Sequence, residues 1–272
     1  MAEQVTVRRR IRRIEGSAAR PTVDTLAAEE PLEIRVGGEA VSVTMRTPGS
    51  DFELAAGFCL TEGMIDDPAD VAHVRYCSGT DPETGLQTYN VVDIALRGGG
   101  TVPVDLRRNV YTTSSCGICG TASIDAVRHD WPDIDDPVTV SAAVLSGLPD
   151  AMRGAQRVFE RTGGLHAAAR FLPDGTLLDL REDVGRHNAV DKLIGTAALA
   201  GDLPLSGQVL MVSGRVAFEI VQKALRARIP VIAAVSAPTS LAVELAEQAG
   251  MTLVGFVRDD RMNVYTGHER VI

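Results

Sequence analysis

The sequence predicts an α/β protein (α+β overall), with a C-terminal α/β domain over residues 138–272 and a smaller N-terminal α+β domain over residues 31–110. Two observations support this fold class. Beyond residue 138, short apolar runs such as residues 209–212 alternate with segments of helical periodicity, which is typical of a mostly parallel sheet covered on both faces. Before residue 110, alternating apolar and polar residues flank Gly37 and Gly38, which predicts a β-hairpin.

Residues 1–30 are predicted to form a basic and weakly structured N-terminus. Five arginines lie between Arg8 and Arg13 in a chain whose net charge is −9, and without them the net charge would be −14. Such a charge run is usually a solvated strand edge or tail, but it can also bind an acidic partner or an anionic ligand. The sequence leaves both interpretations open.

The N-terminal domain continues after the hairpin with a helix and two strands. Ser50 and Glu53 have the spacing of a capping box, which predicts a helix that begins there. Residues 71–77 and 88–96 have the apolar and β-branched pattern of strands. A connector without periodicity begins at Gly98, and a loop of this length is more often functional than idle.

Residues 111–137 are predicted to form a reactive cysteine loop and the helix after it. Cys116 and Cys119 lie three positions apart, each followed by a glycine. Cysteines with this spacing often have a lowered pKa, and the thiolate is the nucleophile. A structural zinc site, which usually needs four ligands, and a thioredoxin-type redox pair are the alternatives. Cys59 and Cys77 are predicted to be small hydrophobic residues without a chemical role.

The elements of the C-terminal domain follow from periodicity and turn residues. Residues 163–171 and 176–181 are predicted to be paired strands that flank a turn at residues 173–175. Helical periodicity begins near residue 190 and returns after each of the buried strands at residues 209–212 and 231–235. A last strand is predicted at residues 252–257.

Polar segments follow four of these strands, at residues 183–188, 213–215, 236–240 and 258–263. In open α/β sheets, ligands bind beyond the carboxyl ends of strands, and helix N-termini offer N–H groups to anions. Guanidinium groups add forked donors for phosphate. The sequence therefore predicts a site for a large polyanionic ligand, with Arg186, Arg215, Arg258 and Arg261 as its cations. His187 is either a histidine that satisfies neighbouring groups or a residue that contacts ligand or handles protons.

The composition excludes several classes of protein. The longest apolar runs are far too short to span a bilayer, and the N-terminus has no apolar stretch of a secretory signal. The acidic net charge argues against general binding to nucleic acid. We therefore expect a cytoplasmic protein with neither a membrane nor a nucleic-acid partner.

Several long motifs resemble one known family. Residues 113–120, 182–192 and 236–244 are similar to motifs of the FdhD family of formate dehydrogenase accessory sulfurtransferases, as are residues 45–49 and 255–261. The resemblance extends from about Pro31 to Thr266. Several motifs in the same order make it specific, whereas a single Cys-x-x-Cys would not.

The resemblance implies a sulfur carrier. A cysteine desulfurase would load sulfur onto Cys116 as a persulfide, with Cys119 as the assisting thiol, and a persulfide is a reversible state of cysteine. The sulfur would pass to the molybdenum (or tungsten) bis-guanine-dinucleotide pterin cofactor that is destined for formate dehydrogenase. The resemblance also implies a homodimer. The alternative function is a non-catalytic chaperone that binds the cofactor. The cofactor-binding residues predicted from the resemblance and from the strand ends together are Phe256, Val257, Arg258, Asp259, Asp260, Arg261, His187, Arg186, Arg215 and Asn263.

The family's C-terminal domain is similar in fold to cytidine deaminases, which bind a catalytic zinc ion. The residues of a zinc site would therefore be expected at the corresponding helix starts. A deaminase has His-x-Glu at one helix start and Pro-Cys-x-x-Cys at a later one. The corresponding positions here are His187 with Ala189, and Pro238 with no cysteine after it. The resemblance therefore implies a deaminase-like fold without a zinc site.

Overall fold

A computed structural model of the chain describes residues 4–77, 79, 89–99 and 133–272. The cysteine loop with Cys116 and Cys119 lies outside these residues. The described chain contains two larger sheets, one for each predicted domain, and a separate N-terminal hairpin. The mixed α/β class is confirmed. The predicted domain boundaries stay predictions, because residues 100–132 are outside the described ranges.

The N-terminal segment is a hairpin, so the prediction of a weakly structured N-terminus is wrong. Strands β1 (Thr6–Glu15) and β2 (Ala18–Ala27) pair antiparallel along all ten residues. Gly16 occupies the turn with φ 62°, a conformation that favours glycine. β-Branched residues such as Val7 and Ile11 suit an extended chain, and they outweigh the charge of the arginines between them.

The N-terminal domain is a four-stranded sheet in the order β4-β3-β6-β5 with one helix against it. Its strands are β3 (Glu30–Val36), β4 (Glu39–Arg46), β5 (Val71–Tyr76) and β6 (Val91–Leu96). The predicted β3–β4 hairpin is confirmed. Helix α1 (Asp51–Thr61) buries Leu54 and Cys59 in a core shared with the sheet. The predicted capping box is wrong, because Ser50 has φ 55° and its side chain makes no capping hydrogen bond.

The C-terminal sheet has six strands in the order β12-β11-β10-β9-β7-β8. The strands are β7 (His166–Phe171), β8 (Leu177–Asp183), β9 (Val209–Val212), β10 (Val231–Ala234), β11 (Thr252–Arg258) and β12 (Arg261–Thr266). Only β9, β10 and β11 pair in parallel in this sheet, so the prediction of a mostly parallel sheet is wrong. The tight turns of the β7–β8 and β11–β12 hairpins impose antiparallel pairing.

Helices cover both faces of this sheet, as predicted. One face packs against α4 (Arg186–Ala200), α5 (Phe218–Arg226) and α6 (Ser240–Gln248). The other face packs against α2 (Ala142–Ala155), which is followed by the short helix α3 (Arg157–Thr162). The sequence analysis did not predict α2 or α3. No helix in the described ranges is long and apolar enough to cross a membrane.

Two glycines allow α1 of the N-terminal domain to lie directly on α4 of the C-terminal domain. A Cβ atom on Gly195 would lie 1.8 Å from the carbonyl oxygen of Glu53, and a Cβ atom on Gly57 would lie 1.9 Å from that of Asp191. No side chain fits at either position without a shift of the backbone. This contact fixes the start of α4 relative to the N-terminal domain.

Candidate functional site

The four predicted polar segments meet at one edge of the C-terminal sheet. Strands β8, β9, β10 and β11 point in the same direction, so their carboxyl ends share this edge. Direct contacts join the segments in series: Gly214 lies against Arg186, Val216 N–H donates to Ala237 O at 3.1 Å, and Phe256 N–H donates to Ser236 O at 3.1 Å. We call this the strand-end edge.

A cavity of about 670 Å³ opens at the strand-end edge, on the side of α2. A volume of this size suits a nucleotide-sized ligand. Strand ends supply one wall, and α2, α3 and the start of β7 supply the other. The polar and aromatic residues that line it include Ser213, Arg258 and Asp259 on the first wall and Arg153, Phe159 and His166 on the second.

The wall formed by α3 is held in place by an acidic side chain from β8. The carboxylate of Glu182 accepts hydrogen bonds from Val158 N–H at 2.9 Å and Phe159 N–H at 2.7 Å. These N–H groups lie in the first turn of α3, where helical N–H groups have no partner of their own. The Arg153 guanidinium then lies 3.8 Å from the centre of the Phe159 ring. The cavity therefore has a cationic and aromatic rim of defined geometry.

Two histidines at this edge are held neutral. Burial, and then the charge of Arg186, lower the pKa of His166. Burial, followed by the charges of Lys223 and Arg186, lowers the pKa of His187 to about 3. Both imidazoles can therefore accept a hydrogen bond at neutral pH, and a cationic His187 would be costly.

Buried nitrogens at the start of α4 have no partner among the described residues. His187 Nε2 and Arg186 Nε are both fully buried and make no hydrogen bond there. Glu219 at the start of α5 lies close to His187, with 4.0 Å between Nε2 and Oε2. Buried polar groups are normally satisfied, so these two nitrogens are exceptions at this edge.

The segment of residues 183–188 is fixed by a fully buried carboxylate. Asp183 Oδ2 lies 2.7 Å from Lys192 Nζ and accepts Thr47 N–H at 3.1 Å, while Oδ1 accepts Gly185 N–H at 2.7 Å. Asn188 Nδ2 also donates to Met45 O at 2.8 Å. Residues 45–49 of the N-terminal domain thus support the strand-end edge directly.

The tip of the β11–β12 hairpin is strained and exposed. Phe256 and Asp259 have φ values of 55° and 52°, and the Phe256 side chain is 48% exposed. Gly255 permits this bulge, because a Cβ there would lie 2.9 Å from Pro238 Cδ. A large exposed apolar ring in a sparsely populated backbone region is a common feature of binding sites.

The structure divides the predicted site residues into groups. Val257, Arg258 and Asp259 line the large cavity, whereas Asp260, Arg261 and Asn263 line a second cavity of about 580 Å³ beside α2. Arg186 and His187 lie at the start of α4, outside the lining of both cavities, and Arg215 is exposed before α5. The role of each of these residues stays a prediction.

Sequence reasoning missed His166, Arg153 and Phe159. Strand β7 runs against its neighbours, so its beginning, and not its end, lies at the strand-end edge. Arg153 and Phe159 were missed together with α2 and α3. Their signal was the Ser141 cap followed by the apolar spacing of Leu145 and Leu148. Across the described ranges, no three His, Cys, Asp or Glu side chains form a group that could hold a metal ion.

The fold and the site define an α/β protein with a large cavity at its strand ends, supported by a second α+β domain. The family model described as the FdhD/NarQ family matches residues 27–272. The chain belongs to the FdhD/NarQ family.

Curated relatives agree with this assignment, and a solved structure has a similar fold. The chain is 58% identical to the sulfur carrier protein FdhD of Mycolicibacterium paratuberculosis, over 98% of this chain and 99% of the relative. It is 57% identical to the sulfur carrier protein FdhD of Streptomyces coelicolor, over 98% and 96%. A crystal structure from Desulfotalea psychrophila, of a protein assigned as a formate dehydrogenase accessory protein, covers 98% of this chain and 100% of its own. Its TM-score is 0.76 at 21% identity, which supports the fold alone.

Proposed function

We propose that this protein is a sulfurtransferase, a sulfur carrier that serves the maturation of formate dehydrogenase. It accepts sulfur from a cysteine desulfurase on Cys116 and passes it to a molybdenum bis-guanine-dinucleotide pterin cofactor, which is its bound substrate. The observation that carries the proposal is the Cys-x-x-Cys pair in a chain 58% identical to a protein named as a sulfur carrier.

The two cysteines have distinct chemical roles in this proposal. The Cys116 thiolate attacks the outer sulfur of the desulfurase persulfide, and the desulfurase thiolate leaves. When the cofactor is bound, Cys119 attacks Sγ of Cys116, which forms a disulfide between the two cysteines and expels the outer sulfur as hydrosulfide. The two thiols supply the two electrons that reduce the sulfur, so a dithiol reductant is needed for the next cycle.

Features of the strand-end edge support the proposal that the protein binds the pterin cofactor. Its guanine dinucleotides carry phosphates, for which Arg258 beside the large cavity and Arg186 at the start of α4 are suitable donors. Neutral His166 and His187 offer acceptors for donor groups of the ligand, and exposed Phe256 offers a ring for stacking on a base.

The proposal is tested by intact mass spectrometry after incubation with a cysteine desulfurase and cysteine. Wild type is expected to gain the mass of one sulfur atom, and Cys116→Ala is expected to gain none. Cys119→Ala should also load sulfur, but it should release no hydrosulfide once the cofactor is added. Cys77→Ala, a half-buried cysteine on a described segment, is the matched control and should behave as wild type.

Two outcomes would contradict the assignment. Loss of the added mass in Cys119→Ala alone would move the persulfide to the second thiol. No added mass in wild type, with binding of guanosine diphosphate intact, would favour the non-catalytic cofactor chaperone. The homodimer implied by the resemblance stays a prediction, which sedimentation can test.

A further inference from the structure

The N-terminal hairpin has two faces that differ in charge. Arg8, Arg10 and Arg12 point to one face, because side chains alternate along a strand. Their cross-strand neighbours are Thr25, Val23 and Pro21. This surface, together with Ile14 and Ala19, contains no acidic residue, and we call it the arginine face.

The opposite face of the hairpin is neutralised in part, since two of its three arginines have an acidic partner and Arg9 has no ion pair with another described residue. Arg13 lies 3.9 Å from Asp24, and Arg20 forms an ion pair with Glu15 at 3.3 Å. On the arginine face, by contrast, none of the three arginines makes a hydrogen bond or ion pair with another described residue, and all three are exposed. Most of the positive charge is therefore neutralised on the opposite face, and none of it is neutralised on the arginine face.

We propose that the arginine face is a docking surface for an acidic polypeptide segment of a partner protein. Guanidinium groups bind carboxylates with two parallel hydrogen bonds. Alternate residues on one face of a strand are about 7 Å apart, so an extended segment with a carboxylate at every second residue matches Arg8, Arg10 and Arg12. Strand β1 pairs only with β2 in the described chain, which leaves its outer edge for an added strand.

The apolar residues on the arginine face favour a polypeptide over a nucleic acid. Ile14 is 70% exposed and Val23 is 45% exposed, and both point to the arginine face. Residues 6–27 contain no aromatic residue on which a base could stack. The rest of the chain would carry −14 without the five arginines, which repels a phosphate polymer outside this small surface.

The surface is separate from the sulfur-carrier function proposed above. The family model begins at residue 27, and the hairpin ends there. Variation of the arginine face should therefore leave persulfide loading on Cys116 unchanged, which makes a failure of this proposal distinguishable from a failure of the proposed function.

The test measures binding of a fluorescent peptide of four Glu-Thr repeats to the full chain by anisotropy. Arg8→Gln/Arg10→Gln is expected to weaken binding about tenfold, since each exposed charge pair contributes modestly. Arg9→Gln/Arg13→Gln removes the same charge from the opposite face and should change binding less than about twofold. Circular dichroism and the thermal midpoint check that both variants keep the fold.

A charge swap and an RNA control complete the design. Arg8→Glu/Arg10→Glu should lose the Glu-Thr peptide and gain binding of a Lys-Thr peptide. Equal weakening by both Gln variants, or no binding of the Glu-Thr peptide to wild type, would overturn the proposal. Tighter binding of a uridine oligonucleotide than of the peptide would also overturn it and assign the surface to nucleic acid.

Discussion

The contact between the two domains and the strand-end edge differ in whether their buried charged and polar groups have a partner. At the domain contact, charges are paired: Lys223 lies 2.9 Å from Asp191 and from Glu62. At the strand-end edge, Arg186 Nε and His187 Nε2 are buried without a partner in the described chain, and Arg258 is exposed. The start of α4 belongs to both regions.

The difference separates residues that hold the fold from residues that are candidates for binding a ligand. A buried pair loses its compensation when one member is removed, so the free energy of unfolding should fall steeply at the domain contact. Substitution of a group without a partner should change the stability of the free protein little. Its effect should appear instead as a loss of affinity for the ligand. The following predictions test this division, in order of expected effect on stability.

The largest effect is expected for Lys192→Met. Its Nζ lies 2.7 Å from Asp183 and donates to Thr47 O at 2.7 Å, and both charged side chains are buried. Removal of the cation leaves a buried carboxylate uncompensated, which should lower the free energy of unfolding by about 3–5 kcal/mol. Urea denaturation measures it. The double variant Lys192→Met/Asp183→Asn should recover part of the loss, and a loss as large as in the single variant would contradict this account.

A somewhat smaller effect is expected for Gly195→Ala. Its Cβ would overlap the carbonyl oxygen of Glu53, so α1 and α4 must separate. Overpacking of this kind should lower the free energy of unfolding by about 3 kcal/mol. Gly154→Ala in α2 is the matched control, since nothing lies within 4 Å of its added Cβ, and it should stabilise by about 0.5–1 kcal/mol. Equal melting temperatures for the two variants would show that the helices do not pack closely.

The same two regions explain what the sequence could predict. The elements with strong local periodicity, such as α4 and the β3–β4 hairpin, were predicted correctly. The polar segments 183–188, 213–215, 236–240 and 258–263 were also found, because strand ends precede them. His166 was not, since its place at the edge depends on the direction in which β7 pairs. Strand pairing is a long-range property that no local pattern contains.

The ion pairs of the domain contact could not be predicted from the sequence either. Asp191 and Lys223 fall within helical segments, and their spacing there does not indicate their partners. One partner is Thr61 of the N-terminal domain, whose hydroxyl donates to Asp191 with an oxygen–oxygen distance of 2.8 Å. The N-terminal hairpin shows the opposite error. Its five arginines suggested a solvated strand edge or tail, and residues 1–30 were predicted to be weakly structured, whereas β-branched residues and one glycine turn suffice for ten paired positions.

An intermediate effect on stability, and one that depends on pH, is expected for His187→Gln. The pKa of His187 is about 3 in the folded chain and 6.5 in the unfolded one, so only the unfolded chain binds this proton between those values. The free energy of unfolding of wild type therefore falls as the pH falls from 6.5 towards 3, because protonation of His187 stabilises only the unfolded chain. The stability of His187→Gln relative to wild type should therefore rise by about 2–3 kcal/mol from pH 6.5 to pH 4.5.

The comparison with wild type at each pH removes an opposing contribution. Burial raises the pKa of Asp191 to about 6, which favours the folded chain as the pH falls through this value. Since Asp191 is present in both proteins, its effect cancels in the difference. The exposed His268→Gln serves as the control. A difference between His187→Gln and wild type that stays constant over this range would show that His187 is solvated or partnered.

The smallest effect on stability is expected for Arg258→Ala at the strand-end edge. The side chain is exposed at the mouth of the large cavity, so its removal should change the free energy of unfolding by less than about 0.5 kcal/mol. If Arg258 binds a phosphate of the ligand, the affinity for guanosine diphosphate should fall about tenfold or more, because charge-assisted hydrogen bonds are lost. Isothermal titration measures this, with exposed Arg161→Ala on α3 as the control of equal charge. A variant with unchanged affinity would exclude Arg258 from the binding site, and a variant that unfolds would place it among the residues that hold the fold.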